Sequence, residues 1–265
     1  MFEWWRERKR EQLLAEPCPE HFPIFLQRNV AHYLRLELAQ QQRLLDSVRV
    51  FVAEKHWEGC GGLTLSEEMQ VTIAGQACLL VLELPHRLYE NVESIFVYPS
   101  TVVRPEAPPG VFVRSAGLLA SGPIALYGEA HVRGPVVLAW DRVLRDGRSP
   151  GSGHNLVYHE FAHKLDMLDG QPDGTPPLSS RAERERWQEV CARVYLALGA
   201  RSQRGERTFI DEYGATSEAE FFAVATEHFF DQPRALASAE PELYGVLQSF
   251  YRQDPAARAT ASEAG

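Results

Sequence analysis

The sequence predicts an α+β fold: a helical amino-terminal part, a small mixed sheet, and two packed helices that carry the chemistry. Three observations predict it. Apolar residues recur at three- and four-residue steps through most of the first third of the chain. Near Ser94 the pattern changes to β-branched and aromatic runs bounded by proline and glycine. Beyond Gly153 helical spacing returns, around His159-Glu160-Phe161-Ala162-His163.

Residues 1–16 read as a short charged helix with Trp4, Trp5, Leu13 and Leu14 on its apolar side, ended by Pro17, Pro19 and Pro23. From Pro23 to about Trp57, Phe25, Leu26, Val30, Tyr33, Leu34, Leu38, Leu44, Leu45, Val48 and Phe51 step helically. They predict two helices divided near Gln40–Gln42. A turn over Glu58–Gly62 follows. Thr64 and Glu67 have capping-box spacing and open a helix through about Val81, with Met69, Val71, Ile73, Ala77 and Leu80 on its core face. Residues 1–93 thus form a helical part whose readable roles are core packing and a docking surface for a partner. His21, His32 and His56 are isolated and expected to be structural.

Ile95–Tyr98, Val111–Val113 and Val136–Trp140 read as strands, with Gly134-Pro135 suited to an edge or a strand start. A helix over about 155–169 follows the breakers Ser149–Gly153, with His154 or Asn155 as its cap and Gly170 as its stop. Loops over 171–180 and 199–207 flank an amphipathic helix over 181–198. A helix over 218–230 begins at Ser217, and a last one spans about 240–252. Residues 94–253 form the catalytic part, and 254–265 a loose tail.

The motif has a mechanical basis. Residues four apart on a helix return to nearly the same side, so His159 and His163 can present ring nitrogens to one zinc ion. Glu160 projects beside that ion, where it can take a proton from water. Asp166 shares the histidines' face. It reads either as a hydrogen-bond partner for a ligand or bound water, or as a solvated or locally paired carboxylate. Asp169 occupies the third-ligand position of the longer zinc motif, but the glycine that would break the helix is replaced by Asp166, so Asp169 is rejected. A catalytic zinc needs a third protein ligand. Glu218, Glu220, Glu227 and His228 are the downstream candidates. Ser217 and Glu220 have capping-box spacing, which alone explains Glu220. Glu227 lies seven residues further on the same face, so periodicity does not choose between them. Residues 128–140 read equally as a substrate-holding edge strand or as a plain sheet strand.

The whole chain excludes other classes. A formal charge of −9 over 265 residues argues against direct nucleic-acid binding. No apolar run approaches the ~20 residues of a membrane span. The charged stretch Met1–Arg10 is not followed by the apolar segment of a signal peptide. Cys18, Cys60, Cys78 and Cys191 are scattered and read as reduced thiols of a cytoplasmic protein, not as metal ligands.

His159-Glu160-Phe161-Ala162-His163-Lys164-Leu165-Asp166, then Asp211 and Tyr213, then Glu220, Phe222, Ala223 and Val224, resemble the Mlc titration factor A family of zinc peptidases. Gly134–Trp140 and Phe250, Tyr251 and Asp254 extend the resemblance over roughly residues 95–255. It implies a zincin-like metallopeptidase fold with one zinc per chain. By the resemblance His159, His163 and Glu220 are the metal ligands, Glu160 is the general base and Tyr213 helps to stabilise the oxyanion. The expected reaction is hydrolysis of a peptide or protein substrate, of the aminopeptidase kind. The family includes a bacterial regulator of sugar uptake that binds the glucose repressor Mlc. A Mlc-type transcriptional repressor is therefore an expected partner, and a protein that sequesters such a repressor, with catalysis secondary, is the alternative reading.

Overall fold

The computed structural model describes residues 2–84, 89–100 and 134–261. Eleven helices and three strands are described: α1 (Phe2–Ala15), α2 (His21–Asn29), α3 (Leu38–Glu54), β1 (His56–Gly59), α4 (Glu67–Leu80), β2 (Ser94–Tyr98), β3 (Val136–Ala139), α5 (Trp140–Arg148), α6 (Leu156–Asp166), α7 (Arg181–Gln203), α8 (Glu218–Asp231), α9 (Pro233–Ala239), α10 (Pro241–Tyr251) and α11 (Pro255–Ala261).

α4 is the central helix. Every residue from Val71 to Leu80 is buried, because α2, α3, α5 and α6 pack around it. Its cap is Ser66, whose side chain accepts from the Met69 backbone N–H, and not the expected Thr64. The break in the preceding segment also lies elsewhere than at Gln40–Gln42. The chain leaves helical geometry at Val30, makes a 3-10 turn over Ala31–Arg35, and re-enters a helix after Glu37. Gln40 helps to start α3, accepting from the Glu37 N–H at 3.3 Å. Leu34 and Leu38, expected inside, therefore stay exposed, as do Trp4 and Trp5 on α1.

The described strands form one sheet in the order β1-β2-β3, parallel throughout and not mixed. Parallel pairing requires a crossover, and α4 supplies it between β1 and β2. β1 was not expected; it begins where the helical spacing of α3 was read on through Trp57. Ile95 and Val97 of β2 and Val136 and Leu138 of β3 alternate into the core. β3 ends at Ala139, and Trp140 begins the unexpected helix α5. The expected strand at 111–113 and residues 128–133 lie outside the described residues. Residues 255–261, read as tail, are helical.

α6 packs against α8, α4 and β3. Its buried side carries Val157, Tyr158, Phe161, Ala162 and Leu165. Phe161 meets Tyr89 at 4.7 Å and Phe51 at 5.8 Å between ring centroids, and Tyr158 meets Phe230 at 5.5 Å. That aromatic packing turns the half-buried side of α6, with His159, Glu160 and His163, toward α8.

A candidate metal centre between two helices

Asn155 caps α6, its side chain accepting from the Tyr158 N–H at 2.9 Å while its Nδ2 donates to Gln76 Oε1 of α4. The loop leading into α6 is held by carboxylates. Asp146 Oδ2 accepts from the Leu156 N–H, and Asp231 Oδ2 accepts from the N–H groups of Gly151 and Gly153 at 2.8 and 2.7 Å. Gly153 has φ +77° and lies against the His228 ring, where a side chain would meet both strain and a neighbour. α6 ends after Asp166, and Gly170, at φ +94°, terminates the following 3-10 turn.

Three candidate ligand atoms converge across the α6–α8 contact. His163 Nε2 lies 3.2 Å from His159 Nε2, and Glu220 Oε2 lies 3.0 Å from His159 Nε2 and 3.4 Å from His163 Nε2. A tetrahedral zinc with bonds near 2.0–2.1 Å has ligand atoms about 3.3 Å apart. The three atoms are thus spaced like one face of such a tetrahedron. Among the described residues, no other three His, Cys, Asp or Glu side chains converge in this way.

Donor chemistry fits a cation. Glu220 Oε2 is buried and accepts no aligned hydrogen bond, although two ring nitrogens face it. Oxygen and nitrogen lone pairs brought so close repel unless a positive charge lies among them. In the metal-free protein a proton answers that need: burial would lower the His159 pKa, but Glu220 and Glu227 on its two sides raise it to about 10. Burial likewise works to raise the Glu220 carboxyl, and the two imidazoles overcome it and hold it at about 2.

The competing explanation of Glu220 is half realised. Ser217 caps α8 by accepting from the Glu220 N–H at 3.2 Å, but the Glu220 carboxylate turns to the histidines. Glu218 is exposed, and His228 Nε2 is engaged with the Phe209 carbonyl at 3.1 Å. Glu227 does reach the cluster, from the other side of the first histidine: its Oε1 lies 2.8 Å from His159 Nδ1, and its Oε2 accepts from the Asn155 N–H at 2.6 Å. Sequence reasoning treated Glu227 only as a rival for Glu220 and gave Asp231 no role. The readable signal was the carboxylate spacing of seven and four along α8, which sets Glu220, Glu227 and Asp231 on one face.

Glu160 is half-buried, and burial raises its carboxyl above the usual range against the lowering pull of the histidines. Tyr213 sits in a 3-10 turn, Glu212–Ala215, set by Asp211, whose side chain accepts from the Tyr213 N–H at 2.8 Å. Its ring lies 6.0 Å from that of His159. Burial, and then the negative charge of Glu220, push its phenol up to about 12. Asp166, by contrast, is turned to Gly174, whose N–H it accepts at 3.0 Å. It braces the loop after α6.

Two histidines one helical turn apart, a glutamate beside the first and a carboxylate from a neighbouring helix define a metal-dependent hydrolase in outline. The model of the glucose-regulated metallo-peptidase M90 family matches residues 2–252, and the chain belongs to this metallopeptidase family. A Mlc titration factor A from Serratia proteamaculans is 36% identical over 225 residues, covering 84% of each chain. A second, from Edwardsiella ictaluri, is 34% identical over 265 residues and covers 97% of this chain and 95% of its own. An uncharacterised Synechocystis protein is 35% identical over 254 residues, 95% of this chain and 90% of its own.

Proposed function

We propose that the protein is a zinc-dependent peptidase in which His159, His163 and Glu220 hold one zinc ion. The observation that carries this reading is the convergence of His159 Nε2, His163 Nε2 and Glu220 Oε2 at 3.0–3.4 Å. Bound there, zinc supplies Lewis acidity, polarising a carbonyl and bringing the pKa of water toward ~7. Glu160 is the general base: its raised carboxyl accepts the proton of the attacking water and hands it to the leaving amine. Tyr213, a neutral phenol well past physiological pH, donates a hydrogen bond to the developing oxyanion. The natural substrate is a peptide or protein, which membership of a metallopeptidase family supports, and the action is taken to be that of an aminopeptidase, as the sequence resemblance implies. Four unpaired cysteines support a cytoplasmic setting.

The experiment is elemental analysis with a peptide assay on three proteins. Wild type should carry about one zinc per chain and cleave peptides with free amino termini in preference to blocked ones. Glu160→Gln should keep its zinc and lose activity. Glu220→Gln should lose zinc, whereas a purely capping Glu220 would keep it and cost only about 0.5–2 kcal/mol of stability. A zinc-free wild type, or full activity in Glu160→Gln, overturns the reading.

The name of the relatives, Mlc titration factor A, favours a second reading in which this chain sequesters a transcriptional repressor. A Glu160→Gln variant that binds a Mlc-type repressor as wild type does would support it.

A further inference from the structure

Glu227 is 5% exposed and ends in two oxygens that each take a different N–H. Oε1 faces His159 Nδ1 at 2.8 Å, and Oε2 accepts from the backbone N–H of Asn155 at 2.6 Å. A carboxylate only accepts, so the hydrogen of a neutral His159 must sit on Nδ1. Its lone pair is then fixed on Nε2, the nitrogen that faces His163 and Glu220. The same carboxylate holds the first turn of the helix on which both histidines ride. We propose that Glu227 is a positioning residue: it selects the metal-binding tautomer and ring orientation of His159 and locks that ring to the start of α6. This inference rests on the metal-centre reading and adds to it a determinant of metal affinity that never touches the metal.

Glutamine is the informative replacement. It matches glutamate in shape but has one accepting oxygen and one donating NH2 group, so it cannot accept from both N–H groups at once. One end of the arrangement must be lost. Partners of metal-bound histidines typically set affinity by 10- to 100-fold.

The test measures zinc dissociation constants by chelator competition, and metal-free melting temperatures, for wild type, Glu227→Gln, Glu227→Asp and Asn155→Ser. Asn155→Ser is the comparison because it keeps a capping hydroxyl but removes the Asn155 Nδ2 bond to Gln76, loosening the same helix start without touching His159. Glu227→Gln should bind zinc roughly 10- to 100-fold more weakly. Glu227→Asp, one methylene too short to span both donors, should weaken it too, and serves alone where the glutamine variant does not fold. Asn155→Ser should melt lower without zinc but bind it within about threefold of wild type. Equal zinc affinity in a folded Glu227 variant overturns the proposal, as does an Asn155→Ser variant that loses affinity as far as Glu227→Gln does. Wild type that binds no zinc would instead overturn the metal-centre reading itself.

Discussion

In the proposed mechanism Tyr213 is a residue outside the ligand set that its neighbours hold for chemistry. Asp211 fixes its backbone and Glu220 lies beside its phenol, so it meets the centre as a neutral donor. Tyr213→Phe should therefore keep zinc and stability while slowing turnover by roughly 100- to 1000-fold, the usual cost of one oxyanion donor. Steady-state kinetics beside zinc content checks it, and an unchanged kcat would remove Tyr213 from the mechanism. Asp166 titrates with a different consequence. Burial raises its carboxyl to about 6, against the lowering effect of the Gly174 N–H. Its folded value thus exceeds the ordinary ~3.9 of an unfolded aspartate. Between those two values the folded state holds a proton that the unfolded state has released, so stability falls as pH rises through the window. Wild type should lose about 2 kcal/mol relative to Asp166→Asn between pH 4 and pH 6.5, at no more than about 1.4 kcal/mol per pH step. Urea unfolding of the metal-free proteins at both pH values measures it; a constant difference would contradict the buried-carboxylate account.

At the scale of elements, α6 was legible and its surroundings were less so. The four-residue histidine spacing, the Asn155 cap and the Gly170 stop are local signals, and the structure has all three. Which carboxylate of α8 faces which histidine nitrogen is a tertiary fact. Glu220 and Glu227 share a helix face, and only the approach of α8 to α6 assigns them to opposite nitrogens of His159. β1 was hidden because its four residues carry no apolar run and directly follow the apolar stepping of α3. α5 was hidden because six of its nine residues are charged or glycine, and its burial comes through Val143 and the Gln76 bond to the Val143 carbonyl. The aromatic face of α6 yields a prediction at this scale. Phe161→Ala should cost about 3–5 kcal/mol, the range for a fully buried phenylalanine. It should also weaken zinc binding, because the same packing aims the histidines. Denaturant titration with and without zinc reads both.

At the scale of the whole molecule, one buried core runs from Phe22 of α2 to Tyr251 of α10, and the candidate centre lies where α6 and α8 meet within it. No helix among the described residues is long and apolar enough to cross a membrane. Because the centre joins two helices 57 residues apart, from His163 to Glu220, an ion held there favours the folded state alone. Free zinc at about 100 times its dissociation constant should add about 2.7 kcal/mol. For a chain of this size that is a rise of roughly 5–10 °C in melting temperature. A thermal scan with zinc and with chelator checks it, and identical curves would mean that no ion bridges the helices.

Gln253, just beyond α10, donates to the carbonyls of Leu79 and Leu80 at 2.9 and 3.2 Å and so finishes the end of the central helix α4. On the ribosome those partners are made far apart in time. At about 5–20 residues per second, Gln253 follows Leu80 by roughly 10 to 35 s. Throughout that interval the end of α4 lacks its Gln253 bonds; α2 and α3, which precede it, can already pack on it, whereas α5 and α6 follow it. A growing chain can therefore assemble local turns early but reaches its native state only after the carboxy-terminal segment has emerged.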